Sequence, residues 1–208
     1  KNFLPNPKLR LIIQIFLIFS IVYIQDLKIE DLRVDNLNFL LSNNLFNVCF
    51  TVFCLAILIN GCNFIDGLNG LLVGYVLISL ISIFYITLTQ TNLNLTDDNF
   101  LNIFLIALII FFIFNIIGLV YLGDSGSYIV SFILGFYLIQ INSINYFLSP
   151  YYIAVILWYP AFENLFSFVR RTFKKKNISK ADNQHLHQLL YLYVKNTKIL
   201  KKKYLNSF

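Results

Sequence analysis

A chain of 208 residues with 58% hydrophobic and 12% charged side chains has too little polar surface to cover a water-soluble globule, since soluble domains carry about 25% charge. Its mean hydropathy is +0.72, and its apolar residues fall in long runs, the signature of spans and not of a buried core. Cys49, Cys54 and Cys62, an odd count without ligand spacing, argue against a disulfide framework or a zinc site.

The chain opens at Lys1, holds no Met and shows no cleavable leader, so it is expected to be a fragment. Six apolar runs follow in order, Leu9–Ile24, Phe39–Ile59, Leu68–Leu88, Phe100–Leu122, Tyr128–Leu148 and Tyr151–Val169, each near the roughly 20 residues a span needs. The expected fold is an all-α polytopic bundle of about six transmembrane helices over residues 1–169, then a basic tail over residues 170–208. Pro150 marks a tight reversal between the last two spans. With Lys1–Arg10 inside, every basic residue except Lys28 and Arg33 falls on the cytoplasmic side, as the bias of Lys and Arg toward that side requires. The same topology brings the polar loops 60–67 and 121–127 and the tail to one face.

Three polar clusters carry the chemistry. In Asn60-Gly61-Cys62-Asn63-Phe64-Ile65-Asp66-Gly67-Leu68-Asn69-Gly70-Leu71, polar groups recur every three residues and glycines open the backbone to a ligand. A carboxylate at a membrane edge is costly, which marks Asp66 for function, although a plain polar turn also fits. In Gly123-Asp124-Ser125-Gly126-Ser127, Asp124 either caps the next helix or holds Mg²⁺, which favours one or two carboxylates with phosphate oxygens and water. The tail pairs Arg170-Arg171-Thr172-Phe173-Lys174-Lys175-Lys176 with His185 and His187. The basic run suits anionic lipid or a pyrophosphate. Two histidines two apart on a helix would point to opposite sides, against a shared metal unless this stretch is extended, and solvated surface is their bland alternative. Phosphoryl transfer, mostly positioning and charge neutralisation, gives all three clusters one reason to exist, and Asp66 and Asp124 are expected to approach one another.

Together these clusters resemble the polyprenyl-phosphate N-acetylhexosamine-1-phosphate transferase family, glycosyltransferase family 4. Its pattern is N-x-x-N-x-x-D-G-x-x-G-L, then G-D-x-G-S, then a basic loop ending in H-x-H. Lys8-Leu9-Arg10 with Gln14 is similar to the family's segment after its first acidic motif. The resemblance implies transfer of a sugar-1-phosphate from a UDP-sugar to polyprenyl phosphate, releasing UMP, at the cytoplasmic face of a bacterial inner membrane in envelope polysaccharide synthesis. It implies Asp66, Asp124, His185 and His187 as catalytic residues, with Asp124 and Asp66 on Mg²⁺ and Mn²⁺ as a substitute. Substrate contacts carry over to Asn60, Asn63, Gly67, Asn69, Lys8, Arg170 and Arg171. The implied partners are a UDP-N-acetylhexosamine, polyprenyl phosphate, anionic lipids and, as an option, a homodimer; no nucleic acid is expected.

The family's Asp-Asp pair, its earlier spans and its final span are absent, Glu163 stands where many members have Asp, and Gln188 where some have a third His. The 208 residues alone are therefore expected to release no UMP. A transporter or channel bundle, or a lipid-binding scaffold without chemistry, are the readings from other classes. Asp66 and Asp124 at the ends of spans, not near their centres, count against a transport path.

Overall fold

A computed structural model describes residues 7–90, 99–144, 148–173 and 185–196. All its regular elements are helices: α1 Pro7–Ile24, α2 Asp35–Leu41, α3 Asn44–Ile65, α4 Leu71–Gln90, α5 Asn99–Ile116, α6 Gly123–Ile144, α7 Pro150–Phe173 and α8 Leu186–Asn196. Each of the six expected runs holds one long helix. By length and apolarity four of these, α3, α5, α6 and α7, are able to cross a membrane among the described residues. Large apolar side chains are exposed along the long helices, such as Phe16 on α1, Ile78 on α4, Ile103 on α5 and Val155 on α7, as lipid contact requires. The chain is an integral membrane protein built as a helical bundle. Both chain ends and Lys174–Lys176, on which the expected topology and the basic tail rest, lie outside the described residues.

Helix ends depart from the hydropathy runs for local reasons. The run from Phe39 divides, because α2 closes at Leu41 and the Asn43 side chain accepts a bond from Phe46 N (3.2 Å), capping α3. Helix α3 then continues past Ile59 to Ile65, carrying Asn60 and Asn63 inside it. Helix α5 stops at Ile116, although the apolar run continues to Leu122. Gly118 adopts a left-handed φ of 76°, its N–H bonds Asn115 O (3.0 Å) and Leu119 N bonds Phe114 O (3.0 Å), a Schellman ending. Pro150 opens α7 at the first helical position, where its missing N–H costs nothing, behind Ser149, whose carbonyl takes the first bonds.

The chain divides into two compact units, residues 1–60 with 135–181, and residues 61–134 with 182–208. In the first, Val48, Val52, Leu55, Leu58, Leu138 and Ile141 form an apolar core. A Cβ on Gly135 would fall 2.6 Å from Leu55 Cδ2 and 2.8 Å from Leu58 Cδ2, so glycine lets α6 approach α3 there without displacing these leucines. Asn47, 4% exposed, uses its whole amide capacity in this unit. Its Oδ1 accepts from Ile29 N (3.2 Å) and Thr51 Oγ1 (3.2 Å), and its Nδ2 donates to Ile29 O (2.9 Å) and Leu41 O (3.1 Å). Asn47→Ala strands buried backbone groups and is expected to cost about 2 kcal/mol. Thermal unfolding in detergent should show a lower midpoint, and an unchanged midpoint would remove this hub from the fold's support.

In the second unit, Leu72, Val73, Val76, Leu80, Leu108 and Leu134 are buried. Gly74 brings α4 against α5: a Cβ there would meet the Phe112 ring at 3.0 Å.

Candidate active site

The second unit by itself holds Asn63, Asp66, Gly67, Asn69, Asp124, His185 and His187. Asn63 sits in the last turn of α3, and Asp66 just beyond the helix end, its N–H still bonded to Cys62 O (3.1 Å). Asp124 lies in the first turn of α6, where a carboxylate is favoured by the helix dipole. Gly123, with a left-handed φ of 65°, makes the sharp entry into that helix. Both carboxylates therefore stand at helix ends.

Asn63 joins the end of α3 to the start of α6. Its Nδ2 donates to Asp124 Oδ1 (3.3 Å) and to Ser127 Oγ (2.9 Å), and Ser127 Oγ donates to Asp124 O (2.9 Å). Asp66 and Asp124 interact directly through charge. Burial first, and the Asp124 carboxylate second, push the Asp66 pKa from 3.8 up to about 7. Two like charges at a half-buried position are a strained arrangement that a divalent cation relieves. Mg²⁺ accepts one or two carboxylates and fills its shell with phosphate oxygens and water, so this donor set fits it. Among the described residues no three of His, Cys, Asp and Glu converge as a metal-holding group.

The histidines are buried, 4% and 5% exposed, and not solvated surface. His185 precedes α8 and does not belong to it: Gln188 Oε1 accepts the His185 N–H (3.3 Å) and Leu189 N bonds His185 O (3.0 Å), a capping arrangement. Being outside the helix lets the His185 ring turn toward His187, so residues two apart stack, with centroids 5.8 Å apart and planes within 5°. Phe64 also stacks on His185, with centroids 5.0 Å apart. Gly67 receives His187: a Cβ there would fall 2.5 Å from His187 Nε2. Phe64 and His187 both contact His185, and His187 lies against Gly67, the residue after Asp66 in sequence.

Asn60, Lys8, Arg170 and Arg171 belong to the first unit. Asn60 Nδ2 donates to Gln14 Oε1 (3.3 Å) and Ala56 O (2.8 Å), the Arg170 guanidinium lies over the Phe166 ring at 5.4 Å, and Arg171 is buried. Lys8 is exposed at the start of α1. Sequence reasoning passed over Phe64 as a stacking partner and Asn115 altogether. Its available signal was a lone amide in the apolar stretch Phe111-Phe112-Ile113-Phe114-Asn115-Ile116.

Residues 5–142 match the model of glycosyl transferase family 4. The chain is 31% identical to undecaprenyl-phosphate alpha-N-acetylglucosaminyl 1-phosphate transferase of Thermotoga maritima over 132 residues, 64% of this chain and 39% of that protein. It is 29% identical to the probable undecaprenyl-phosphate N-acetylglucosaminyl 1-phosphate transferase of Bacillus subtilis over 151 residues, 69% of this chain and 40% of that protein. The chain spans about two fifths of the length of these curated relatives. No solved structure matches it. The histidines and Arg170-Arg171 lie beyond the family match, but its residues 5–142 run through both carboxylate-bearing loops and cover well over half of the sequence; the chain belongs to glycosyl transferase family 4.

Proposed function

We propose that the protein transfers an N-acetylhexosamine-1-phosphate from a UDP-sugar to polyprenyl phosphate, releasing UMP. The reaction would serve envelope polysaccharide synthesis at the cytoplasmic face of a bacterial inner membrane. The observation that supports this reading is the approach of Asp66, just past the end of α3, to Asp124 in the first turn of α6, which Asn63 ties to α3. Both curated relatives are named for transfer to undecaprenyl phosphate, which supports the same substrate class.

Asp66 and Asp124 would hold Mg²⁺, which when bound offsets the charge of the donor pyrophosphate. Asn63 orients the Asp124 carboxylate through its Nδ2 bond (3.3 Å). Gly67 leaves the backbone open for a phosphate and leaves room for the His187 ring, a group able to donate a hydrogen bond to a phosphate oxygen. The Phe64 and His185 rings hold His187 in place. The test is Mg²⁺-dependent release of UMP from UDP-N-acetylglucosamine in membranes carrying the protein and polyprenyl phosphate. Release that needs no polyprenyl phosphate would overturn the acceptor assignment, and no release with any UDP-N-acetylhexosamine would overturn the donor.

The raised pKa of Asp66 gives a pH signature. Its proton stays on up to about pH 7, so cation binding must displace it. Mg²⁺ affinity is expected to fall as pH drops below about 7 and to level off above. Without the cation the sign reverses for stability: a carboxyl whose folded pKa exceeds its unfolded one costs stability as pH rises from 3.8 to about 7. Calorimetric titration with Mg²⁺ at pH 7 in buffers of different ionisation enthalpy should report proton release, and Asp66→Asn should abolish it.

A further inference from the structure

We propose that Asn115 is a positioning residue that sets the separation of the Asp66 and Asp124 carboxylates by stapling together the loops that carry them, an inference that rests on the reading of those carboxylates as the site. Asn115 lies in the last turn of α5 and is 4% exposed. Its Oδ1 accepts a hydrogen bond from Gly70 N (2.6 Å), and its Nδ2 donates one to Val120 O (2.8 Å). The partners fix the amide's orientation, because an N–H must face an oxygen and a carbonyl must face an amide nitrogen. Gly70 stands four residues after Asp66, and Val120 four residues before Asp124. One side chain therefore ties the two loops at equal distances from their acidic groups.

The junction has little slack. Gly70 and Gly118 hold left-handed φ angles of 81° and 76°. A Cβ on Gly70 would fall 2.9 Å from Ile116 Cγ1, and one on Gly118 3.3 Å from Asn69 Nδ2. Both groups that Asn115 binds are backbone, whose position follows the loops themselves and not a rotamer. Loss of the amide leaves a part-buried N–H and a part-buried C=O to find partners by shifting those segments. Asn63 ties the same loops closer to the carboxylates through Asp124 and Ser127, so Asn115 and Asn63 are the outer and inner ties of one junction. Partners of this outer kind change metal affinity by about 10- to 100-fold when removed.

The experiment uses the whole chain in detergent micelles with Mn²⁺ as the probe, read by the paramagnetic resonance signal of the free ion, beside a thermal melt. Asn115→Leu keeps the number and branching of the side-chain heavy atoms and removes both bonds, and Asn115→Ser keeps a hydroxyl that can serve one backbone group. Asn47→Ala is the control, a buried amide hub in the other unit. The expected result is Mn²⁺ affinity weakened about 10- to 100-fold in Asn115→Leu and less in Asn115→Ser, well below either melting midpoint. Asn47→Ala should lower the midpoint and leave the affinity unchanged. Wild-type affinity in both Asn115 variants would overturn the proposal, as would an equal loss in Asn47→Ala, which would make the effect one of general stability. If Asn115→Leu does not accumulate, Asn115→Ser decides alone. Absence of Mn²⁺ binding by the unaltered protein would instead overturn the carboxylate site, and this proposal with it.

Discussion

Asp124→Asn is expected to lower UMP release by about 1,000-fold or more while the protein still inserts and folds. The two costs differ enough to separate. Asn has the shape of Asp, and its carbonyl oxygen still accepts from Asn63 Nδ2, which now lies 3.3 Å from Asp124 Oδ1. The lost charge in the first turn of α6 forfeits about 0.3–1 kcal/mol of dipole interaction. The chemical loss is larger: a factor of about 1,000 is roughly 4 kcal/mol, because in the proposed reaction the carboxylate would anchor the cation that offsets the pyrophosphate charge. Asp66 should move too. With the Asp124 charge gone, the second cause of its raised pKa disappears, and its titration should shift down toward that of burial alone. Membrane-inserted protein at the normal level together with near-normal UMP release would leave Asp124 as a helix-start residue with no chemical part.

Gly67→Ala is expected to cost nearly as much by a different route. The added methyl would sit 2.5 Å from His187 Nε2 and 3.4 Å from its Cδ2, closer than side chains tolerate. His187 has little room to retreat, since its ring is stacked on His185, which is stacked on Phe64, and both histidines are buried. Overpacking of this kind costs about 1–3 kcal/mol of stability. A displaced ring beside the carboxylates should cut transfer by about 100-fold, as about 1 Å of misplacement does. A double-mutant cycle separates the parts. Adding His187→Ala should restore the melting midpoint, because the new methyl fills vacated space, without restoring transfer. Losses in midpoint that simply add would mean that the two residues do not press on one another.

The helices were legible because a membrane span is written in hydropathy, which needs no tertiary information. Their ends were not, because they depend on single residues. Gly118 stops α5 six residues before the apolar run ends, and Asn43 divides the run that begins at Phe39. Asp66 and Asp124 stood out in sequence as costly carboxylates beside glycines. The histidine pair misled, since spacing on a helix places such rings apart, and only the capping by Gln188 shows that His185 lies outside it. Asn115 was hidden among Phe and Ile, where one amide looks incidental until both of its ends are seen bonded to backbone.

The early stop of α5 also bears on where the proposed site would lie in a bilayer. Its 18 residues reach about 27 Å, a little short of the roughly 30 Å hydrocarbon layer. The six apolar residues left over, Ile117 to Leu122, run on as open chain to Gly123, and Ile117, Leu119 and Tyr121 are exposed. Such a segment is too apolar for bulk water, and its backbone too polar for the acyl chains. The glycerol and headgroup layer suits both, with the Tyr121 hydroxyl at the wet edge. With that segment in the headgroup layer, Asp124 would lie at the same level, the depth at which a phosphate attached to a long hydrocarbon tail already resides. An acceptor of that kind would meet the carboxylates by sliding sideways within its own leaflet, with no need to rise out of the bilayer.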